Sequence, residues 1–265
     1  MIAAAALHPL TPLGLGFSVH YSTVIGIAAL AALYIWRARL GPPGGPTAGQ
    51  RAAFTSGLAV LFLSLNGPLH DLSDTYLFTA HMAQHLVLTM LVTPLLIAGT
   101  PGWMLRPALD IPWVFALAKR VTAAPAAFGI FNVTLIVWHL PPLYNLAMAN
   151  HNVHIVQHLC FLVASTIMWW PLLSNMPELP RLSYPKQLLY AIAMALPMSV
   201  LAIVLTYADT SLYPAYAAAP RIWGITPIED QRYGGLLMWI PGGMIFFAFA
   251  SVRFFQWAAS EGAND

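Results

Sequence analysis

The sequence is poor in charge and nearly free of cysteine. Only 8% of its 265 residues are charged, against roughly 25% in an ordinary soluble domain, and 59% are hydrophobic. A chain with so few charges cannot present a water-facing surface, so we predict an integral membrane protein whose apolar helices face lipid. The single cysteine, Cys160, cannot form an internal disulfide and says little about the redox compartment. The net charge of +2 gives no indication of nucleic-acid binding.

Several motifs of catalytic chemistry are also missing from the sequence. It contains no Walker A motif, no GxGxxG, no Ser-His-Asp signature and no HExxH. A nucleotide-driven pump and a hydrolase are therefore unsupported, and we expect a protein that is not an enzyme.

Apolar windows predict a seven-transmembrane helix bundle, all-α, in a single polytopic domain over residues 1–265. The predicted spans lie near residues 17–37, 52–69, 78–99, 126–146, 154–173, 187–207 and 234–256. Turn-forming stretches join them, among them GPPGGPTAG at 41–49 and MPELPRLSYP at 176–185. Because proline removes a backbone donor, kinks are predicted where it lies inside a span, at Pro94, Pro141, Pro142, Pro197 and Pro241.

The basic residues determine the predicted orientation, because cytoplasmic loops are enriched in Lys and Arg. With the N-terminus outside and the C-terminus in the cytoplasm, only Arg221 and Arg232 of the 11 basic residues face outward. The 9 histidines are an independent observation, since all of them fall on the outer side or in the outer end of a span. We therefore predict a histidine-rich outer face on a multi-pass protein of the bacterial cytoplasmic membrane.

The pattern His-x-x-Gln-His-Leu occurs twice, at 81–86 and 154–159, and each copy opens a long apolar run. Residues four apart share a face of a helix, so each run presents two imidazoles in one direction, as i, i+4 histidine pairs do when they bind a metal. Both helices run from outside to inside, which places the two pairs at similar depth. Two pairs at matched depth predict a metal site.

Further candidate ligands surround these pairs. His139, near the outer end of the fourth span, matches their depth, and His70 ends the second span. The full predicted ligand set is His81, His85, His154, His158, His139 and His70, with Asp230 and Met238 in a lesser role. Imidazole suits zinc, copper, iron or nickel, and thioether favours Cu(I), so the spacing leaves the metal open.

Other polar residues near the pairs have a second interpretation. Gln84 and Gln157 repeat beside them and suit a role in orienting a ligand imidazole, although a Gln can equally bridge two helices. A lone histidine can also be an interfacial side chain bonded to a carbonyl or a lipid headgroup. We prefer that interpretation for His8, His20 and His151, which lie in loops or at the interface.

The connection between the sixth and seventh spans is the most elaborate in the chain. Asp230 and Gln231 precede the last helix and can cap its start. Alternatively, Glu229 or Asp230 folds over the histidines and contributes a carboxylate. The aromatic residues of this loop are predicted interface anchors, namely Tyr213, Tyr216, Trp223 and Tyr233.

These motifs resemble the CtaG family of cytochrome c oxidase assembly factors, multi-span proteins linked to the caa3-type oxidase. The matching segments are, in chain order, HMAQHL with TPLLIAGTP, WHLPPLY, HNVHIVQHLCFL with WWPLL, LYPAY and IEDQRYGGLLMWIPGG. The resemblance implies a role in maturing the oxidase, by delivery of copper to its catalytic subunit from the outer side. The histidines it carries over as candidate ligands are His81, His85, His139, His154 and His158.

We therefore predict a copper-binding assembly factor whose partners are the oxidase catalytic subunit, other copper chaperones and membrane lipid, with no nucleic acid. Zinc or iron in place of copper is not excluded by the sequence. The alternatives are a copper or haem transporter, a redox enzyme and a metal-free assembly scaffold. The inner halves of the third and fifth spans offer few polar residues, which argues against a path through the membrane.

Overall fold

The computed structural model describes residues 17–261, and every regular element in that range is helical. The α-helices are α1 Tyr21–Arg39, α2 Ala48–Ser64, α3 Gly67–Thr75, α4 Phe78–Val87, α5 Thr93–Gly99, α6 Gly102–Leu109, α7 Pro112–Val121, α8 Ala124–His139, α9 Pro141–Ala149, α10 His151–Leu173, α11 Tyr184–Tyr207, α12 Pro214–Ala217, α13 Pro227–Leu237 and α14 Gly243–Glu261. Two π-helical turns, Leu88–Val92 and Met238–Gly242, join α4 to α5 and α13 to α14. The prediction of an all-helical protein is confirmed for this range.

The helices account for the predicted spans in two ways. Five stretches are long and apolar enough to cross a membrane, namely Tyr21–Arg39, Phe78–Gly99, His151–Leu173, Tyr184–Tyr207 and Pro227–Glu261. Two bent pairs bring the number to seven if each pair forms one span, namely α2 with α3 and α7 with α8. The second predicted span is therefore broken within its length. The fourth predicted span is interrupted at Leu140, between α8 and α9, and the bend between α7 and α8 lies before its predicted start.

Local chemistry explains these breaks. The chain bends by 44° between α2 and α3, where Gly67 has a φ of +67°, a conformation that favours glycine. It bends by 74° between α7 and α8, and α8 begins with a proline in its first turn, where a missing N–H costs no helical bond. The fourth predicted span, 126–146, ends early at His139. Leu140 is extended because a residue before proline avoids the helical region, and Pro141 starts α9.

Prolines inside the longer helices have different consequences. Pro94 comes two residues after the first π-helical turn, and Pro241 lies within the second. Proline removes an N–H donor and crowds the preceding turn, so a widened turn is one way for a helix to accommodate it. In contrast, α11 continues through Pro197 without interruption.

The bundle packs around α10 and α11. Helix α10 lies against α8, α9 and α5, whereas α11 lies against α8, α13 and α14. Helix α4 packs between α3 and α13. Large side chains fill the centre, among them Phe78, Phe131, Phe161, Met168 and Trp169. Helix α1 lies at the edge, and none of its residues is buried.

Histidines and two arginines lie at opposite ends of the bundle. His20 precedes α1, whereas Arg37 and Arg39 lie in its last turn, about 26 Å further along the helix axis. The His20 ring lies beside that of His70, with 4.3 Å between centroids, and Arg37 Nε donates to the carbonyl of Met104 at 3.2 Å. The two ends of the bundle therefore differ in chemistry, as the sequence predicted.

A close contact between α11 and α13 gives a test of this packing. A Cβ atom at Gly235 would lie 3.0 Å from the Ala202 carbonyl oxygen and would overlap Thr206. Such overpacking costs about 1–3 kcal/mol, and the gain in helix propensity from Gly to Ala is at most about 1 kcal/mol. We expect Gly235→Ala to lower the Tm of the detergent-purified protein. Gly243→Ala is the control, since a Cβ there meets no atom within 4 Å. Equal Tm values for the two variants would contradict this packing.

Candidate metal centre

The two His-x-x-Gln-His-Leu motifs lie on α4 and α10 and face each other. The rings of His81 and His154 are nearly parallel, with 5.3 Å between their centroids and 15° between their planes. His85 and His158 form the second facing pair, also at 5.3 Å. Within each helix the two rings are 4.2 Å and 4.3 Å apart. The i, i+4 spacing therefore places four buried imidazoles in one group.

A third helix adds a carboxylate to this group. Helix α3 carries His70 and Asp74, and the Asp74 Oδ2 atom lies 3.4 Å from Nε2 of His70 and 3.4 Å from Nδ1 of His154. One donor atom each of Asp74, His81 and His154 lie within 4.8 Å of one another, and all three residues are buried. A metal that holds nitrogen and oxygen donors at about 2 Å needs them about 4 Å apart or less, so small side-chain rotations complete such a site.

Asp74 was missed by the sequence analysis, which placed the end of a span near His70. The spacing in the sequence could have revealed it, because His70 and Asp74 are four residues apart, as are the members of both histidine pairs. On one helix that spacing puts both side chains on the same face. The side chain of Asp74 is fully shielded from solvent, and a buried carboxylate requires partners of opposite charge or a metal.

Gln84 contacts His70 and the backbone beside the centre. Its amide nitrogen donates to the Ser64 carbonyl at 2.7 Å and lies 3.0 Å from Nδ1 of His70, and its oxygen lies 3.1 Å from the Ser73 hydroxyl. A donor at Nδ1 leaves the proton of His70 on Nε2, which faces Asp74. Gln84 therefore orients an imidazole, as its position beside the pair predicted. Gln157 is buried, and its amide atoms have no hydrogen-bond partner among the described residues.

Several imidazole nitrogens of the centre also have no hydrogen-bond partner within the described range. They are both ring nitrogens of His81 and of His85, and the Nε2 atoms of His154 and His158. A buried polar atom without a partner costs free energy, so such atoms are rare in folded proteins and require an explanation. Converging nitrogen lone pairs are the donors that a transition metal uses.

His139 and Met238 lie deeper than the four central rings. The His139 ring is 6.5 Å from that of His85, and both residues line a small cavity together with Met238. His139 and Met238 are themselves buried. The structure therefore separates these two predicted ligands from the group around Asp74.

His20 and His151 extend the group toward the end of the bundle. The His20 ring lies 4.3 Å from that of His70, and the His151 ring lies 6.2 Å from that of His20. The sequence analysis had left both outside the site, because it placed them in loops or at the interface. His8 lies outside the described residues. Every histidine of the described range therefore adjoins another histidine, from His151 at the end of the bundle to His139 inside it.

A comparison with known families assigns the chain. The family described as cytochrome c oxidase caa3 assembly factor (Caa3_CtaG) matches residues 29–260. The chain belongs to the caa3 assembly factor family. The resemblance read from the histidine motifs is thereby confirmed. The matched range contains every residue of the group around Asp74 and of the deeper pair.

Three mycobacterial proteins are similar to this assembly factor. The uncharacterized proteins Mb0105 of Mycobacterium bovis and MT0111 of Mycobacterium tuberculosis are each 25% identical over 234 residues, and ML1998 of Mycobacterium leprae is 24% identical over 232. Each alignment covers 80% of this chain and 34% or 35% of the relative. The chain thus spans about a third of the length of the curated relatives it matches. No solved structure matches it significantly.

The description of this family names the assembly of cytochrome c oxidase. The apolar helices agree with a multi-pass membrane protein. What the histidine group contributes to maturation has to be argued from its chemistry.

Asp230 has a structural role in the assembly factor. Its Oδ2 accepts from the Phe78 amide at 2.7 Å and its Oδ1 from the Thr79 amide at 2.9 Å. These are the first amides of α4, so a carboxylate on α13 caps the helix that carries the first histidine pair. Both oxygens are used in this way, and Asp230 therefore positions α4 instead of facing the histidines.

The start of α13 is capped by residues other than those predicted. Thr226 and Glu229 form a capping box, in which Glu229 Oε2 accepts from the Thr226 amide at 2.9 Å. Gln231 instead bridges elements, since its oxygen accepts from the Leu212 amide and its nitrogen donates to the Leu205 carbonyl. None of these side chains supplies a donor to the centre.

Two tyrosines of the same loop cover the histidines. Tyr213 Oη donates to the His139 carbonyl at 2.9 Å, and Tyr216 Oη donates to the Ser73 carbonyl at 2.6 Å. Burial raises the pKa of Tyr216 well above its ordinary value, so the phenol stays protonated and can donate. Both tyrosines were predicted to be interface anchors, and both are buried. The other two predicted anchors of this loop are exposed.

Proposed function

We propose that the protein binds copper at the group formed by Asp74, His81 and His154 and delivers it to the catalytic subunit of the oxidase. The observation that carries this proposal is a buried carboxylate and two buried imidazoles whose donor atoms lie within 4.8 Å of one another. The three donors come from α3, α4 and α10, and imidazole donors suit copper. Copper in this site is cargo in transit, because an assembly factor hands on what its client needs.

Neighbouring imidazoles would allow the copper to move. Three more imidazole rings lie within 6.5 Å of the ring of His81 or His154, namely those of His70, His85 and His158. One ligand can then be exchanged for another without the ion ever entering an uncoordinated state. A cluster with spare donors suits transfer better than a closed structural site, which uses four fixed ligands.

The arrangement of charges supports loading from the outer side of the bacterial cytoplasmic membrane. The histidines occupy the end of the bundle opposite to Arg37 and Arg39. Basic residues face the cytoplasm in membrane proteins, so the histidine end would face outward.

The three rival functions fit the described residues less well. In a metal-free scaffold, both ring nitrogens of His81 and of His85 would be buried without hydrogen bonds, and no metal would offset the free-energy cost. A transporter needs a polar path, but the hydroxyls of Thr89 and Thr93, just below the histidines, are bonded to their own helix. A redox enzyme that uses haem needs a slot large enough for the macrocycle, but the cavity beside the histidines measures about 20 Å³.

The experiment that tests this proposal is metal analysis of the detergent-purified protein by mass spectrometry. Wild-type protein grown with copper is expected to carry at least one equivalent, and His81→Ala with His154→Ala is expected to carry one equivalent less. Losing two direct ligands lowers affinity by more than the roughly 10- to 100-fold that outer partners contribute. In cells with limiting copper, the same double variant should fail to produce active oxidase.

Cys160→Ala is the matched control, because Cys160 lies on α10 but lines a groove on another face of that helix. It should keep both metal and oxidase assembly. Protein that never binds copper, together with normal oxidase assembly in the double variant, would leave a scaffold role. Zinc or iron at one equivalent would replace copper as the cargo.

A further inference from the structure

A second set of donors lies one turn deeper in the bundle. His85 and His139 line a cavity of about 20 Å³, enough for one water-sized particle, together with four methionines. The methionines are Met82, Met90, Met198 and Met238. They come from α4, from α11 and from both π-helical turns. All four are buried.

The orientation of His139 is fixed by its own helix. Its Nδ1 lies 2.7 Å from the Leu135 carbonyl oxygen, which can only accept, so Nδ1 carries the proton. The lone pair is therefore on Nε2, and this atom is buried without a hydrogen-bond partner in the described range. Both ring nitrogens of His85 are also buried without a hydrogen-bond partner in that range, and one of the two carries the lone pair of the neutral ring. Two imidazoles with free lone pairs thus border one small cavity.

The geometry of this pair suits a single ion. The two ring centroids are 6.5 Å apart. A metal bound at about 2 Å from one nitrogen of each ring separates the ring centres by roughly 6 Å, so one ion bridges the pair with little movement. Met90 and Met238 lie on π-helical turns, which often occur at functional sites.

Thioether donors decide which ion fits best. Methionine is a common filler of apolar cores, and one or two at this place would need no further explanation. Four of them around two unpaired imidazoles form a soft, uncharged donor set. Soft thioether ligands select Cu(I), whereas the carboxylate in the group around Asp74 favours harder ions.

We propose that the cavity bordered by His85, His139 and the four methionines is a second metal site, selective for Cu(I). This inference rests on the proposed function and deepens it. Copper enters as Cu(I) at the group around Asp74, where the carboxylate holds it weakly, and moves by ligand exchange to the softer cavity without a change of oxidation state. The central rings bridge the two sites, since His81 and His85 are 4.2 Å apart and His85 and His158 are 5.3 Å apart.

The test compares soft and hard probes on purified protein in detergent. Ag(I) and, under anaerobic conditions, Cu(I) are titrated against a competing chelator, and Zn(II) is titrated separately. Met198→Leu with Met238→Leu keeps the volume of the cavity, so the fold should be retained. We expect this variant to lose at least about 10-fold in affinity for Ag(I) and Cu(I) and to bind Zn(II) normally. X-ray absorption of the Cu(I) protein should show sulfur neighbours, and the double variant should show fewer of them.

Two further variants separate this inference from the function on which it rests. Met244→Leu is the control, since that methionine is exposed on α14, and it should change neither affinity. Asp74→Asn should lose Zn(II) and keep Ag(I). A Cu(I) spectrum without sulfur neighbours, or unchanged Ag(I) affinity in the double methionine variant, would overturn the second site. Copper binding at Asp74 and oxidase assembly would then still stand on their own results.

Discussion

Asp74→Asn is expected to lower the affinity of the purified protein for Cu(II) and Zn(II) by at least about 100-fold. The substitution keeps the size of the side chain and an oxygen for the Ser73 hydroxyl, which now donates to Asp74 Oδ1 at 3.0 Å. It removes the negative charge that lies 3.4 Å from the rings of both His70 and His154. Loss of an outer partner alone costs about 10- to 100-fold in metal affinity, and Asp74 is proposed as a direct ligand. Competition titration against a chromophoric chelator measures the change.

The neighbouring acid on the same helix is the matched control. Asp71 accepts from the Ser18 hydroxyl at 2.6 Å and lies outside the group of three donors. Asp71→Asn should therefore bind both ions as the wild type does. In cells with limiting copper, oxidase activity should fall with Asp74→Asn and not with Asp71→Asn. Equal affinities in the two variants would show that the histidines bind metal without the carboxylate.

The histidine pairs could be found from the sequence because their chemistry is encoded locally. An i, i+4 spacing fixes the common face of His81 and His85 on any helix, whatever the rest of the fold does. Two copies of the motif then needed only a shared depth to meet. Asp74 obeys the same rule with His70, but both residues lie on the short helix after the bend at Gly67. The sequence analysis ended the second span at residue 69, before most of this helix, so the face of α3 was not predicted.

The connection between the sixth and seventh predicted spans could not be placed from the sequence, because its roles depend on distant residues. Tyr216 binds the carbonyl of a residue 143 positions away, and Asp230 binds an amide 152 positions away. Aromatic and acidic residues in an outer loop fit interface anchoring and local capping equally well. Only tertiary packing shows that this loop covers the histidines and caps the helix that carries two of them.

The cavity bordered by His85, His139 and the four methionines could not be predicted from the sequence either. Met238 was a weak candidate on its own, because a single methionine near a histidine is most simply a core residue. Met90 and Met198 gave no separate indication, and Met82 on its own is more simply a core residue. The donor set becomes visible only when α4, α11 and the two π-helical turns are brought together. Soft-metal sites built from single residues of several helices therefore escape pattern-based interpretation.

Asp230→Ala is expected to destabilise the protein by about 3 kcal/mol or more. Its carboxylate is fully buried and accepts from two backbone amides of α4, and each charge-assisted bond contributes about 1.5–3 kcal/mol. The variant would leave both amides buried without an acceptor. Thermal unfolding in detergent should show a Tm lower by about 6 °C or more. Metal affinity should fall as well, because the first turn of α4 would lose the contact that holds the first histidine pair in place.

Asp230→Asn should lie between the variant and the wild type, since an amide oxygen can still accept one of the two hydrogen bonds. Asp209→Ala is the control for loss of an acidic residue from the same loop, because Asp209 is exposed and its removal should leave the Tm unchanged. If Asp230→Ala kept its Tm but lost metal, the carboxylate would have to act on the ion directly and the capping role would be wrong. A lower Tm with graded loss of metal across the two Asp230 variants is what a positioning residue produces.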